Sequence, residues 1–176
     1  MLKNLTLRYD PEQDRLLLLL VTVLPDGSER VHALHVTRRL CAIWRRDLQA
    51  AVDLSAQAPQ GLQPALRAAV SKAHHDAQAS QAQVRTEKAS EAAPVAELEP
   101  RLVTRIQCGR NRADGRWVLR FHLLGGAELS LQLNTQTLHG LVDALSRRVQ
   151  AAQWNLPELP AERNAPELVR GDGSLH

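Results

Sequence analysis

The sequence has few of the residues that mark disulfide-rich, metal-binding or redox proteins. Its 176 residues include two cysteines, one methionine, three tryptophans, one tyrosine and one phenylalanine. Cys41 and Cys108 each lack a second cysteine nearby, which excludes a disulfide framework or zinc knuckle and favours a reducing, cytoplasmic location. Cys108 stands close to Arg105 and Arg110, but we interpret it as a buried structural residue rather than a reactive thiol.

Motifs for catalysis and cofactor binding are also missing. The chain contains no glycine-rich phosphate loop, no G-x-S-x-G, no H-E-x-x-H and no C-x-x-C. His32 and His35 are three residues apart in a predicted strand, so they should face opposite sides and cannot share a metal. His74 and His75 are adjacent in a predicted helix and should point in different directions. With Asp76 they could form at most an adventitious metal site. We therefore predict a non-enzymatic protein with no catalytic residues, no metal and no cofactor.

No apolar run is long enough to cross a bilayer, which takes about 20 residues in a helix. The longest run, LLLLLVTVL at residues 16–24, is internal and follows no basic leader, so we expect neither a signal sequence nor a membrane partner. It shows no polar alternation, and a strand of this kind needs cover on both faces. The second cover could come from the second half of the chain, the middle helix or a second copy of the protein.

Alternating apolar residues dominate the second half of the chain. Residues 102–108, 117–124 and 128–134 each follow the period of a half-buried strand, and glycine-containing turns separate them. The apolar face collects Ile106, Trp117, Leu119, Phe121, Leu123, Leu129, Leu131 and Leu133. Thr135 is predicted to cap a helix whose apolar stripe covers that face. The stripe comprises Leu138, Leu141, Val142, Leu145, Val149 and Ala152.

The first fifty residues follow the same plan. Three predicted strands, with a turn ending at Gly27, precede a helix that Thr37 caps. An offset of about 98 residues places Thr37 on Thr135 and Gly27 on Gly125, which favours an internal duplication over a chance likeness between short segments. The sequence thus predicts an α+β fold of two βββα units that pack through antiparallel sheets and helices.

Four segments follow from these patterns. Residues 1–54 form the first unit and residues 101–154 the second. Residues 55–100 form a connector, in which a helix near Pro64 carries a weak apolar stripe with Leu66 and Val70. Its alanine- and glutamine-rich end is interpreted as a solvated helical extension or a flexible linker. Residues 155–176 are predicted to be a flexible, proline-rich tail.

The positive charge of the chain concentrates in the second unit. Residues 101–154 hold eight arginines against three carboxylates, a net charge of +5, whereas the whole chain carries +3. Arginine forks bind phosphate and carboxylate groups well, so this cluster is a candidate anion or nucleic-acid surface. Its predicted members are Arg105, Arg110, Arg112, Arg116, Arg120, His122 and Gln132.

Two functions are the main candidates, and a small-molecule or enzymatic site between the two units is a third possibility. The leading interpretation is a protein-interaction or assembly module that forms a homodimer, because the doubly apolar strand needs more cover than one helix provides. The alternative is nucleic-acid binding by the arginine-rich face. Arginine more often serves only to keep a surface soluble, and the shortage of exposed aromatics disfavours single-strand binding.

Overall fold

The computed structural model of the chain describes residues 2–56, 61, 63–82, 84–86 and 98–156. These residues form the predicted α+β fold. The first half holds strands β1 (Leu2–Asp10), β2 (Arg15–Val23) and β3 (Glu29–Thr37) and helix α1 (Arg38–Ser55), followed by α2 (Pro64–Ser80) and β4 (Val84–Thr86). The second half holds β5 (Arg101–Arg110), β6 (Trp117–Leu123), β7 (Glu128–Leu133) and α3 (Thr135–Ala151). Of the predicted tail, residues 157–176 lie outside the described part, as do residues 87–97 of the connector.

The seven strands in the described part of the chain belong to one mixed sheet, in the order β4-β1-β2-β3-β5-β6-β7. Each half contributes an antiparallel meander, and the halves meet where β3 pairs in parallel with β5. The two units are therefore joined edge to edge within a single sheet. Strand β4, which pairs in parallel with β1, was not predicted, because three residues are too few to show an alternating pattern.

The two halves share their turn geometry but differ at their helix starts. Gly27 and Gly125 both have positive φ, at +82° and +93°, and stand 98 residues apart. Thr37 caps α1 as predicted, with its hydroxyl accepting from the amide of Leu40 at 3.4 Å. The predicted cap at Thr135 is wrong, because the side chain of Asn134 accepts from Thr137 N at 2.7 Å and asparagine is an equally strong cap. The internal duplication stays a prediction.

A β-bulge at Thr104 breaks the strict alternation of β5. Val103 pairs with Leu123 and Arg105 pairs with His122, so one extra residue stands in β5. Both Val103 and Ile106 are buried although they are three residues apart. The Thr104 hydroxyl donates to the carbonyl oxygen of His122 at 3.1 Å, which anchors the bulge to its neighbouring strand.

Helices α1 and α3 pack side by side on the inner face of the sheet, and each contacts strands of the other half. Helix α1 lies along β5, and the Trp44 ring meets Phe121 of β6 edge-on at 5.9 Å between centroids. Helix α3 contacts β1 and β4. Both aromatic rings are essentially buried. Because each helix packs on strands of the other half, the two halves share one hydrophobic core.

The end of α3 is fixed to the first hairpin by a carboxylate. Asp14, which lies in the β1–β2 turn at φ +49°, accepts from the Trp154 indole N–H at 2.6 Å and from the Tyr9 hydroxyl at 2.8 Å. These two hydrogen bonds, first that from Trp154, lower the pKa of Asp14. The Tyr9 and Trp154 rings also pack edge to face at 5.7 Å.

Helix α2 packs on α3 and has no fully buried side chain. The connector helix was predicted, but its apolar stripe faces away from the protein: Leu66 is 53% exposed and Val70 36% exposed. The half-buried side chains of α2 lie instead on its other face and are mostly polar. They are Ser71, His74, His75, Gln78 and Ala79.

Gly140 allows the chain after α2 to cross α3 at close range. A Cβ at this position would lie 2.2 Å from Ala82 Cβ and 3.0 Å from Val84 Cγ2. Only glycine leaves room for this approach. The crossing places β4 at the edge of the sheet beside β1.

Gly140→Ala should destabilise the protein although it adds a better helix former. Alanine normally stabilises a helix interior by about 1 kcal/mol over glycine. Here the clash with Ala82 should outweigh that gain and give a net loss of about 1–3 kcal/mol in the free energy of unfolding. Urea unfolding followed by circular dichroism measures this quantity.

A second substitution tests the cause. Adding Ala82→Gly to Gly140→Ala removes the atom that clashes, so the double variant should recover most of the lost stability. A Gly140→Ala variant as stable as the wild type would contradict the close crossing.

Candidate functional site

The outer face of the sheet, opposite α1 and α3, carries an apolar surface on the first meander. We call it the apolar face: Leu17, Leu19, Val21, Val31 and Ala33. Leu19 stands opposite Ala33, and Val21 stands opposite Val31, so these side chains are neighbours on adjacent strands. Val31 is 43% exposed, Leu17 and Val21 are half-buried, and Leu19 and Ala33 are already buried, at 8% and 4% exposure. No described helix packs against this face, because α1 and α3 lie on the inner side and α2 lies on α3.

Charged residues of both signs border the apolar face. Lys3 and Glu29 form an ion pair at one end of the meander. At the other end, His35 Nε2 lies 3.6 Å from Asp10 Oδ2. Burial lowers the pKa of His35, while Asp10 opposes that shift. The rim therefore offers both donors and acceptors around an aliphatic centre.

The second meander carries a polar surface on the same outer side. We call it the arginine face: Arg105, Gln107, Arg120, His122 and Gln132. Arg105 stands opposite His122 and Gln107 opposite Arg120, which confirms that both arginines share one side of the sheet. A role in binding stays a prediction.

One carboxylate lies within the arginine face. Glu128 approaches His122 Nδ1 at 2.8 Å, and its other oxygen lies 4.0 Å from Arg120 Nε. The second ring nitrogen of His122 lies 2.8 Å from Gln107 Oε1. These contacts fix the orientation of His122, and the charge of Glu128 offsets part of the positive charge of this face.

Three of the seven predicted binding residues lie elsewhere. The Arg110 guanidinium stacks 5.7 Å from the centre of the Trp117 ring, and its Nε donates to the carbonyl oxygen of Gly115 at 3.0 Å. Arg112 and Arg116 are exposed in the β5–β6 hairpin turn, where Arg116 Nε lies 4.0 Å from Asp114. The structure thus brings together Arg105, Arg120, His122 and Gln132 but separates the remaining three from them.

A cluster of three histidines joins α2 to α3, and its central member, His139, was missed in the sequence. We call His74, His75 and His139 the histidine cluster. His139 is fully buried, and its Nδ1 lies 2.9 Å from His75 Nδ1. The His74 ring meets the His139 ring edge-on at 5.2 Å. His74 and His75 are adjacent in α2, yet both rings contact His139. The sequence offered one indication that His139 is buried, since this residue directly follows Leu138 on the buried side of α3.

The hydrogen bonds around His139 favour a structural role over a nucleophilic one. His139 Nε2 lies 2.7 Å from Ser55 Oγ, whose hydroxyl also lies 2.6 Å from the Val52 carbonyl oxygen. All contacts are satisfied when His75 donates to His139, His139 donates to Ser55, and Ser55 donates to Val52. In that arrangement Ser55 accepts from His139 and gives it no proton, so the pair does not activate the serine.

Burial places His139 in its neutral form. Desolvation, followed by the nearby His75 and His74, lowers its pKa to about 4. Among the described residues, no group of three histidine, cysteine, aspartate or glutamate side chains is arranged to hold a metal ion. Within that same part of the chain, no helix combines the length and apolar character needed to span a bilayer.

The two cysteines are structural residues. Both are buried, and burial raises the thiol pKa of each to about 12. For Cys108 the charge of Asp47 adds to the effect of burial. The neighbouring arginines therefore do not activate this thiol, as the sequence interpretation expected.

Comparison with known proteins identifies no relative. No known protein family, no curated protein and no solved structure matches this chain. The apolar face and the arginine face are therefore the basis for inferring a function.

Both thiols should resist alkylation in the native protein. At pH 8 a group with a pKa of about 12 is almost entirely protonated, and burial also blocks the reagent. Iodoacetamide should therefore leave native Cys41 and Cys108 unmodified over the time in which it labels a urea-unfolded control completely. Mass spectrometry of the intact protein counts the added groups, and rapid labelling of native Cys108 would contradict the structural assignment.

Proposed function

We propose that the protein is a non-enzymatic assembly module that forms a homodimer through the apolar face. One observation carries this proposal. The central strand of the first meander, β2, presents aliphatic side chains on both sides, and described helices pack on only one of them. Apolar side chains on a sheet surface are stabilised when a partner removes them from water. A reducing, cytoplasmic compartment suits the two unpaired thiols.

The charged residues that border the apolar face favour a second copy of the chain as the partner that covers it. A two-fold symmetric contact places the same patch against itself, so each charged residue meets residues from the same set. A rim with Lys3, Glu29 and Asp10 contains both signs and can pair with itself. A partner with one dominant charge would fit this rim less well.

The size of the apolar face determines how strongly the protein is expected to self-associate. Each strand of the first meander has nine residues. The apolar face lies on β2 and β3 alone, and its longer stretch, Leu17 to Val21, gives it dimensions of roughly 17 Å by 10 Å. This footprint is small beside the roughly 800 Å² that each partner buries in a standard interface, so the charged rim must contribute. We expect self-association in the micromolar range rather than an obligate dimer.

Val31→Glu should abolish self-association without unfolding the protein. Val31 is already 43% exposed, so the monomer tolerates the charge, whereas a dimer would bury a carboxylate against an aliphatic surface. Sedimentation velocity over roughly 1–500 μM, which brackets the expected dissociation constant, should show a monomer–dimer equilibrium for the wild type. The Val31→Glu variant should remain monomeric over the same range.

Leu66→Glu is the matched control, because Leu66 is an exposed leucine on α2, outside the apolar face. It should dimerise like the wild type. A wild type that stays monomeric throughout, or a dimer that Leu66→Glu disrupts and Val31→Glu leaves intact, would overturn the proposal.

Binding of a nucleic-acid backbone is the second candidate function. The observation in its favour is that Arg105 and Arg120 share one outer face in the most positively charged part of the chain. Phosphate groups are attracted to such a surface through release of counterions. The carboxylate of Glu128 inside the face counts against this function, which is why it ranks second.

The double variant Arg105→Glu with Arg120→Glu separates the two functions. If the arginine face binds nucleic acid, fluorescence anisotropy at 50 mM salt should detect binding of labelled DNA or RNA. The binding affinity should fall between 50 mM and 200 mM salt by a factor on the order of 10³ or more for six phosphate contacts. The double variant should lose that binding and still dimerise.

The control is Arg39→Glu with Arg45→Glu, two exposed residues of α1 that change the net charge equally. This variant should retain binding. Equal loss in both variants would show a general charge effect and contradict a site on the arginine face.

A further inference from the structure

Polar contacts, rather than an apolar stripe, hold α2 on the protein. No side chain of α2 is fully buried, and its aliphatic residues Leu66 and Val70 point into solvent. The hydrogen bond from α2 to α3 joins His75 to His139, and directly after α2 the side chain of Gln81 accepts from Gln136 Nε2 at 2.9 Å. Docking of α2 therefore depends on groups whose hydrogen-bonding state can change.

We propose that the histidine cluster is an acid-sensitive latch, which holds α2 against α3 at neutral pH and releases it when His139 takes up a proton. The contact between His75 Nδ1 and His139 Nδ1, at 2.9 Å, requires one nitrogen to donate and the other to accept. Protonation of the accepting ring leaves two N–H groups facing each other. It also places positive charge in a buried position beside the ring of His74.

Among the described residues, no carboxylate forms an ion pair or hydrogen bond with His139, and the one that attracts a positive charge on the cluster, Asp76, acts on His75. On α2, Asp76 is paired with Lys72; on α3, Asp143 is paired with Arg147. On α1, Asp53 accepts from Gln49, and the group that reaches His139 is the hydroxyl of Ser55. Strand β4 contributes the aliphatic side chain of Val84 near Gly140. Each described element around His139 thus favours its neutral form.

The direction of the pH effect follows from the pKa of His139. Burial lowers this pKa from 6.5 to about 4, so the undocked state binds protons more readily than the docked state. Docking is unaffected by pH above about 6.5, and it weakens by up to about tenfold per pH unit between about 6.5 and 4. Release exposes the surface of α3 around His139 and frees the crossing segment at Ala82.

Hydrogen–deuterium exchange of the full chain at pH 7 and pH 5 tests the latch. Exchange must be corrected for the intrinsic effect of pH on each amide. The amides of α2 should lose protection by a factor on the order of tenfold at pH 5, while those of β2 keep theirs. Equal protection of α2 at both pH values, or a parallel loss in α2 and β2, would overturn the proposal.

His75→Gln is the primary variant because His75 is half-buried and its replacement leaves the core intact. It should reduce the acid-induced loss of protection in α2, because glutamine can turn its carbonyl oxygen toward a protonated His139. His139→Gln should reduce that loss further, to less than half, because it removes the buried ring itself. His35→Gln is the control: His35 is also a buried histidine of lowered pKa, but it lies in the sheet away from α2. An unchanged acid response in His75→Gln, or a response abolished by His35→Gln, would assign the effect to another group.

Discussion

The structure depends on one layer of packing, in which α1 and α3 cover the inner face of the single sheet that the two halves form. Trp44 against Phe121 is its clearest contact, because the helix of the first half meets a strand of the second. Leu16, Leu18 and Leu20 of β2 complete the layer from the sheet side. Neither half can bury its own apolar face without the other's helix, so the two meanders form a single core.

The packing of α1 and α3 on the inner face of the sheet also explains why no described helix covers the apolar face. Two helices cover the inner face of the sheet, and the third described helix lies on α3 rather than on the sheet. Strand β2 is aliphatic on both sides, yet its outer side meets no described helix. A protein that keeps such a surface either tolerates it because charged residues border it or uses it for contact with a partner. The self-complementary rim favours the second reading.

Helix α2 shows a different balance between stability and adaptability. A helix held by leucines would resist any change in solution conditions, because apolar burial does not depend on pH. Helix α2 instead faces α3 with Ser71, His74, His75 and Gln78, and its leucine and valine lie outside. Contacts of this kind are weaker and respond to protonation. The element is therefore the part of the described fold most open to regulation.

The sequence by itself determined the local structure: the strands, the hairpin turns at Gly27 and Gly125, the three helices, and the shared side of Arg105 and Arg120. These features follow from side-chain periods and turn chemistry that neighbouring residues express. Only the tertiary structure decided the parallel pairing of β3 with β5, the bulge at Thr104, the direction in which α2 faces, and the meeting of His75 with His139, which are 64 residues apart. Such contacts depend on which surfaces the packed core leaves available, and no local pattern encodes that.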